Sequence, residues 1–338
     1  MLLLISLMAC EKDGTDPAPP PPGSIVPGQG LFIANEGNFG WGNASLSYYD
    51  KVNDTILHDI YRHANDEHLG DVLQSIFLHD GLAYLVVNNS GKIEVVDPAT
   101  GLRQHRIDGL LSPRHMEVVN GSRAYVTDLY ANKVSIIDLE KHELSGAIAT
   151  SGWTEAIKTI QDMVYVSGVQ SDQLYRIDPQ TDSLSDSLHV PPGPVAMAGD
   201  AQQMLWVLSG GSALFKDHPP TLYRVDPGDF SIAGSYSLPD KDGFYSRLSI
   251  CPDGRYLYIL GEAVLRLDTQ SANPTAELFI PAGGRLFYAL AVDPDNGDVY
   301  VSDAIDYVQR GLILRHNEKG QLISSHPTGI IPGHMAFH

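Results

Sequence analysis

The chain has 338 residues, with 22 basic against 41 acidic side chains and a net charge of -19 when histidine is neutral. That acidity excludes nucleic acid and anionic lipid as main partners, because both would be repelled. Thirty-two Gly, 22 Pro, many aromatic and β-branched residues and no long helical periodicity together indicate an all-β protein.

From the N-terminus, residues 1–10 read as a lipoprotein signal peptide. The apolar run Leu2 to Leu7 is too short to span a bilayer but suits a signal-peptide core. It leads into Leu7-Met-Ala-Cys10, which resembles the bacterial lipobox and makes Cys10 the expected lipidation site. Residues 11–27 read as a tether. Glu11-Lys-Asp13 resembles the acidic export signal of Bacteroidetes surface lipoproteins, and Pro17, Pro19, Pro20, Pro21 and Pro22 prevent strand pairing. The expected location is therefore the outer membrane, lipid-anchored and facing the cell exterior. The folded unit is expected over residues 28–338.

Within it, one phrase returns seven times: alternating apolar residues closed by Asp or Asn. The closing residues are Asp50, Asp97, Asp138, Asp178, Asp226, Asp268 and Asn317, at intervals in the forties. A period of that size carried by strand-like segments is the signature of a β-propeller. A second phrase precedes each first one: Leu31–Ala34, Ala83–Val86, Ala124–Thr127, Val164–Ser167, Leu205–Leu208, Leu257–Leu260 and Val299–Ser302. These are expected as second strands and the Asp phrases as third strands. Asp80-Gly81, Asn120-Gly121, Asp253-Gly254 and Asn296-Gly297 supply hairpins between first and second strands. The first repeat lacks a first strand, and the C-terminal Pro332-Gly-His-Met335 matches the first-strand segments Pro113-Arg-His-Met116 and Pro194-Val-Ala-Met197. The expectation is a seven-bladed β-propeller whose C-terminal strand closes the first blade and removes the open edge.

The repeated acids are expected to be turn posts that accept backbone N–H bonds, not a catalytic set. Asp293 to Asp298 lacks the Gly and Glu of a calcium loop and is expected to be a hairpin turn. His63 to His68 lacks the metal-binding spacing of a zinc hydrolase and is expected to be a polar loop between blades. Cys251, in an apolar segment, is expected to be buried. No metal site and no catalytic set emerges; neither a nucleophile elbow nor a phosphate loop is present.

Function in such a fold sits on loops at one end of the channel. The most unusual is Asn35 to Asn43, with Glu36, Phe39 and Trp41. The equivalents contribute Asn88, Asp128, Tyr130, Asp303 and Tyr307, and the inter-blade loops Arg114, His115, Trp153, Tyr245, Arg285 and Tyr288. Rings interleaved with amides and arginines suit a large, flat, partly polar ligand. His115 and His334 are expected near the channel.

The phrase Phe32-Ile-Ala-Asn-Glu-Gly-Asn-Phe-Gly40, followed by Asn43 to Asp50, resembles the opening of Bacteroidetes surface lipoproteins of the YncE-like propeller type. That family includes the cobalamin-capturing BtuG-like proteins. The resemblance implies a non-enzymatic role: capture of cobalamin or a related corrinoid and delivery to a TonB-dependent outer-membrane transporter, with no cofactor of the protein's own. The alternatives are a propeller enzyme of lactonase or lyase type and a protein-interaction or adhesion scaffold.

Overall fold

The computed structural model describes residues 25–209, 219–240 and 243–338. Its strands form seven four-stranded antiparallel sheets. In chain order they are β1 (Gly30–Asn35), β2 (Ser45–Asp50) and β3 (Thr55–Leu57) of blade one, then β4 (Leu73–His79), β5 (Leu82–Val87), β6 (Lys92–Val96) and β7 (Arg103–Ile107) of blade two. Blade three holds β8 (Pro113–Asn120), β9 (Arg123–Asp128), β10 (Lys133–Asp138) and β11 (Glu143–Ala149). Blade four holds β12 (Thr154–Ile160), β13 (Met163–Gly168), β14 (Gln173–Asp178) and β15 (Ser183–His189). Blade five holds β16 (Pro194–Gly199), β17 (Leu205–Ser209), β18 (Thr221–Asp226) and β19 (Ser231–Ser237). Blade six holds β20 (Arg247–Ile250), β21 (Tyr256–Leu260), β22 (Val264–Asp268) and β23 (Glu277–Ile280). Blade seven holds β24 (Phe287–Val292), β25 (Val299–Asp303), β26 (Arg310–His316) and β27 (Leu322–Ile330).

The last strand, β28 (Pro332–Phe337), pairs with β1 and becomes the inner strand of blade one, as the tail's match to the first-strand segments requires. The inner strands β28, β4, β8, β12, β16, β20 and β24 neighbour one another around a closed ring. Each blade twists, so adjacent blades meet as wedges whose gap needs a large apolar filler. The second residue of every second-strand phrase supplies one: Phe32, Tyr84, Tyr125, Tyr165, Trp206, Tyr258 and Tyr300 are all buried. The seven repeated turn posts also hold. Asp50 accepts from the N–H groups of Val52 and Asn53 at 2.8 and 3.0 Å, and Asp97, Asp138, Asp178, Asp226, Asp268 and Asn317 accept in the same way.

Asp293 to Asp298 is the hairpin between β24 and β25, and its acids are held by cations: Asp293 by Lys51 at 2.8 Å and Asp298 by Arg315 at 2.7 Å. Cys251 is buried just past β20. Two expectations need correction. Part of the segment read as a polar loop is a short helix, α1 (Ile60–Asn65), which buries Ile60 and Tyr61 against blade one. Ile25 is buried in that same cluster, so the packed unit extends ahead of Gly28. Cys10 and most of the tether lie outside the described residues.

Candidate functional site

The second strand of each blade ends where its inner strand begins. Asn35 at the end of β1 lies opposite Pro332 at the start of β28, so the Asn35–Asn43 loop and the inner-strand starts share one face. Here the inner strands are irregular in a repeated way. In six of the seven blades the register with the second strand shifts within the first few residues, leaving Gly333, Gln74, Arg114 with His115, Glu155 with Ala156, Val195, and Tyr288 with Ala289 in the shifted stretch. A β-bulge re-aims side chains, and these bulges assemble a collar around the channel mouth. Blade six keeps its register, and there Arg247 faces Leu260.

Hydroxyls near the ends of the second strands hold the bulges in place. Thr127 Oγ1 accepts from the His115 N–H at 3.0 Å and donates to the Glu155 carbonyl of the next blade at 2.7 Å. Ser302 Oγ repeats this, accepting from the Ala289 N–H at 2.8 Å and donating to the Pro332 carbonyl at 2.6 Å. Both hydroxyls are fully buried. One side chain thereby satisfies a displaced donor and ties adjacent blades together.

At the centre of the collar is a charge pair. Arg114 donates through Nε and Nη2 to the two carboxylate oxygens of Glu155 at 2.7 and 2.8 Å. Glu155 also accepts from the Trp153 indole at 2.7 Å, with His115 Nε2 at 3.5 Å, and Arg114 further donates to Gln74. Burial by itself would raise the Glu155 carboxyl, but Arg114 and His115 outweigh it and hold the group far below the usual carboxylate range. The Arg114 guanidinium stacks near Trp153, 5.9 Å from the ring centroid.

Glu36 fills the gap left by Gly333, where a Cβ would come within 2.3 Å of its Oε1. It accepts from the Tyr288 hydroxyl at 3.2 Å. Burial raises its carboxyl above the ordinary value, against the opposing pull of Arg247 and Arg114. Burial, followed by the Glu36 charge, raises the Tyr288 phenol in turn. Below the collar, His115 and His334 face one another with ring centroids 5.9 Å apart. Both are kept neutral at physiological pH by burial, His334 being lowered to about 3.

Two cavities meet here. The mouth, of about 270 Å³, is lined by Arg114, Trp153, Glu155, Phe244, Arg247, Phe287, Tyr288 and Tyr307 among others. The channel below, of about 300 Å³, is bordered by His115, His334, Met116, Met197 and Leu248, and shares Val195, Ser246 and Arg247 with the mouth.

The structure therefore brings Glu36, Arg114, His115, Trp153, Tyr288 and Tyr307 together, all read from sequence. Phe39, Trp41 and Tyr130 stand on the outer rim, with 74%, 79% and 66% exposure. Four polar candidates are buried and engaged inside their loops. Asn35 accepts from Thr328 and Gly329, Asn88 donates to the Pro113 carbonyl, and Asp128 and Asp303 accept from main-chain N–H groups including Ser112 and Leu286. Arg285 pairs with Asp303 at 3.1 Å. Tyr245 is corrected outright: it is a buried core residue between blades five and six, not a ring on the open face. Sequence reading missed Gln74, Glu155, Val195 and Arg247. Aligning all the inner-strand starts on Pro113-Arg-His-Met116 would have found the first three.

This is a seven-bladed propeller with a charged, aromatic-lined mouth at one end of its channel. The chain belongs to the DUF5074 family, a domain of unknown function whose model matches residues 29–325. No curated protein matches it by sequence. Among solved structures it is similar to a proposed 6-phosphogluconolactonase of Bacteroides fragilis, with 12% identity, a TM-score of 0.71, and coverage of 94% of this chain and 100% of that one. It is likewise similar to a quinoprotein alcohol dehydrogenase-like protein of Bacteroides thetaiotaomicron, with 12% identity, a TM-score of 0.70, and coverage of 92% and 78%. Hydrazine synthase of Kuenenia stuttgartiensis follows at 16% identity and a TM-score of 0.64, covering 77% and 88%. At such identities the likeness speaks for the fold alone.

Proposed function

We propose that the channel mouth is a binding site for a small-molecule nutrient at the cell surface, without chemistry performed on it. In this reading the cargo is cobalamin or a related corrinoid, and the protein, lipid-anchored through Cys10, delivers it to a TonB-dependent outer-membrane transporter. The observation that carries the proposal is a preformed mouth under a rim of exposed rings. Phe39, Trp41, Tyr130, Phe244 and Tyr307 are all more than two-fifths exposed, at 74%, 79%, 66%, 55% and 44%. A corrinoid is far wider than a cavity of about 270 Å³. It would lie across the rim on its apolar faces and send one peripheral group into the mouth. Loops already fixed by internal hydrogen bonds lose little entropy on binding, which favours tight capture.

Glu155 supports binding over catalysis. Its oxygens are committed to Arg114 and Trp153, and a carboxylate so depressed is a poor proton acceptor. Titration of the purified protein with cyanocobalamin, followed by calorimetry and corrinoid absorbance, tests the cargo. Saturable binding at micromolar ligand is expected, and its absence would overturn the corrinoid assignment.

A further inference from the structure

We infer that the group entering the mouth is an oxyanion, a carboxylate or a phosphate, and that Arg247 receives it. The inference rests on the mouth being a ligand site, but not on the identity of the cargo.

Of the two collar arginines, Arg114 is saturated by Glu155 and Gln74. Arg247 makes one hydrogen bond, from Nη1 to the adjacent Ser246 carbonyl at 3.2 Å, and has no carboxylate within ion-pair distance among the described residues. It is also one of three residues that border both cavities, so it stands where they join. A half-buried guanidinium keeps several donors in a planar fork, the geometry that matches a carboxylate or phosphate edge.

The surroundings confirm the sign. The charged and titratable groups around Arg247 in the two cavities are Arg114, His115 and Glu117 from blade three, Glu155 and Lys158 from blade four, Tyr288 from blade seven, and His334 and Glu36 from blade one. Glu155 is neutralised by Arg114, and the histidines and the tyrosine carry no charge. Glu117, in the channel, accepts from the Thr159 N–H at 3.1 Å. Glu36 is the remaining acid at the mouth; it makes no ion pair with Arg247, and burial opposes its ionisation, so it competes only weakly for the cation. In a chain of net charge -19, the mouth is thus a place where a cation lacks its counter-ion. An incoming oxyanion would supply that counter-ion and compete with Glu36 for it.

The test uses inorganic phosphate and acetate as probes. Their binding to the wild-type protein is followed by tryptophan fluorescence, since Trp153 lines the mouth, and by calorimetry. Millimolar, saturable binding of at least one probe is expected. Arg247→Gln should weaken it by about tenfold or more, the loss of a charge-assisted bidentate contact; Arg247→Lys should recover part of it. Glu36→Gln should tighten binding, because it removes the competing carboxylate. Melting temperature and circular dichroism establish that each variant folds, and the opposite sign of Glu36→Gln remains informative if Arg247→Gln does not. Absence of probe binding, equal binding by folded Arg247→Gln, or weaker binding by Glu36→Gln would each overturn the inference. Phosphate or acetate binding that depends on Arg247, without cyanocobalamin binding, would sink the corrinoid reading and leave this one standing.

Discussion

Replacing Glu155 with Gln removes one charge and little volume, yet it should be among the most damaging single changes in the molecule. The Glu155 side chain is 5% exposed and that of Arg114 is 16% exposed. Neutralising the acid leaves a largely desolvated guanidinium with no counter-ion, and breaking a buried pair from one side costs about 3–5 kcal/mol. The Trp153 indole and His115 lose the charged acceptor as well. At roughly 2 °C per kcal/mol for a chain of this size, the melting temperature should fall by about 6–10 °C. Differential scanning calorimetry measures this, with Trp153 fluorescence reporting on the mouth. The double variant Arg114→Met with Glu155→Leu should lose about half as much or less, because no buried charge is stranded and only Gln74, Trp153 and His115 lose partners. The sign with pH follows from the depressed carboxyl: its contribution is present above the unfolded value near pH 4.3 and fades as pH falls toward the lower folded value. A drop below 2 °C for Glu155→Gln at pH 7, or a double variant no more stable than the single one, would refute the claim that this pair organises the collar.

Ser302→Ala should cost about 2–3 kcal/mol, because the Ala289 N–H and the Pro332 carbonyl are both stranded in a dry interface; chemical denaturation measures it, and a loss under about 0.5 kcal/mol, about half of one ordinary hydrogen bond's worth, contradicts the staple. Glu36→Gln should raise the melting temperature at pH 8. A half-buried acid whose folded value is raised binds its proton more tightly when folded, so stability falls as pH rises through that value. The gain should vanish below about pH 4, and a gain independent of pH would argue against an ionised Glu36. Gly333→Ala places a Cβ against Glu36 Oε1, the far end of a flexible side chain. Small loss of stability with altered ligand binding is expected, and unchanged binding would show that Glu36 does not shape the mouth. Removing residues 332–338 exposes the whole edge of β1 and should shift the protein toward aggregates in size-exclusion chromatography.

The propeller was legible because its repeat is enforced by local chemistry. Each Asp or Asn that closes a third strand accepts from N–H groups two or three residues on, and each second strand needs an aromatic wedge, so both signals recur where the geometry recurs. Closure was legible from the tail for the same reason: Pro332-Gly-His-Met335 repeats a pattern seen inside the chain. The helix α1 was not, since a single turn and a half shows too little periodicity to separate from a polar loop. Gln74, Glu155 and Val195 escaped because bulges break alternation. Glu155 and Gln74 look like ordinary polar positions at strand starts, and only the shifted register turns them toward the channel. Tyr245 failed in the opposite direction: a loop aromatic reads the same whether it faces solvent or plugs the gap beside Gly261, where a Cβ would come within 2.8 Å of its ring.

The register shifts also explain why the collar can hold charge at all. A regular inner strand presents alternate residues to the channel, and seven of them crowd around one axis, where only apolar or small side chains pack without cost. Bulging the first turn of six strands spreads that layer, and the buried hydroxyls of Thr127 and Ser302 satisfy main-chain groups that the bulge displaces. Space opens for Arg114 and Glu155 to meet in two parallel hydrogen bonds, and Gly333, at another of the six bulges, leaves room for Glu36, which arrives from the rim loop instead. Arg247 belongs to the one blade without a register shift. Its strand offers no neighbouring acid in register, so its cation is left facing the junction of the two cavities. The same irregularity that neutralises one arginine therefore leaves the other available, and that asymmetry is where a ligand's own charge would be read.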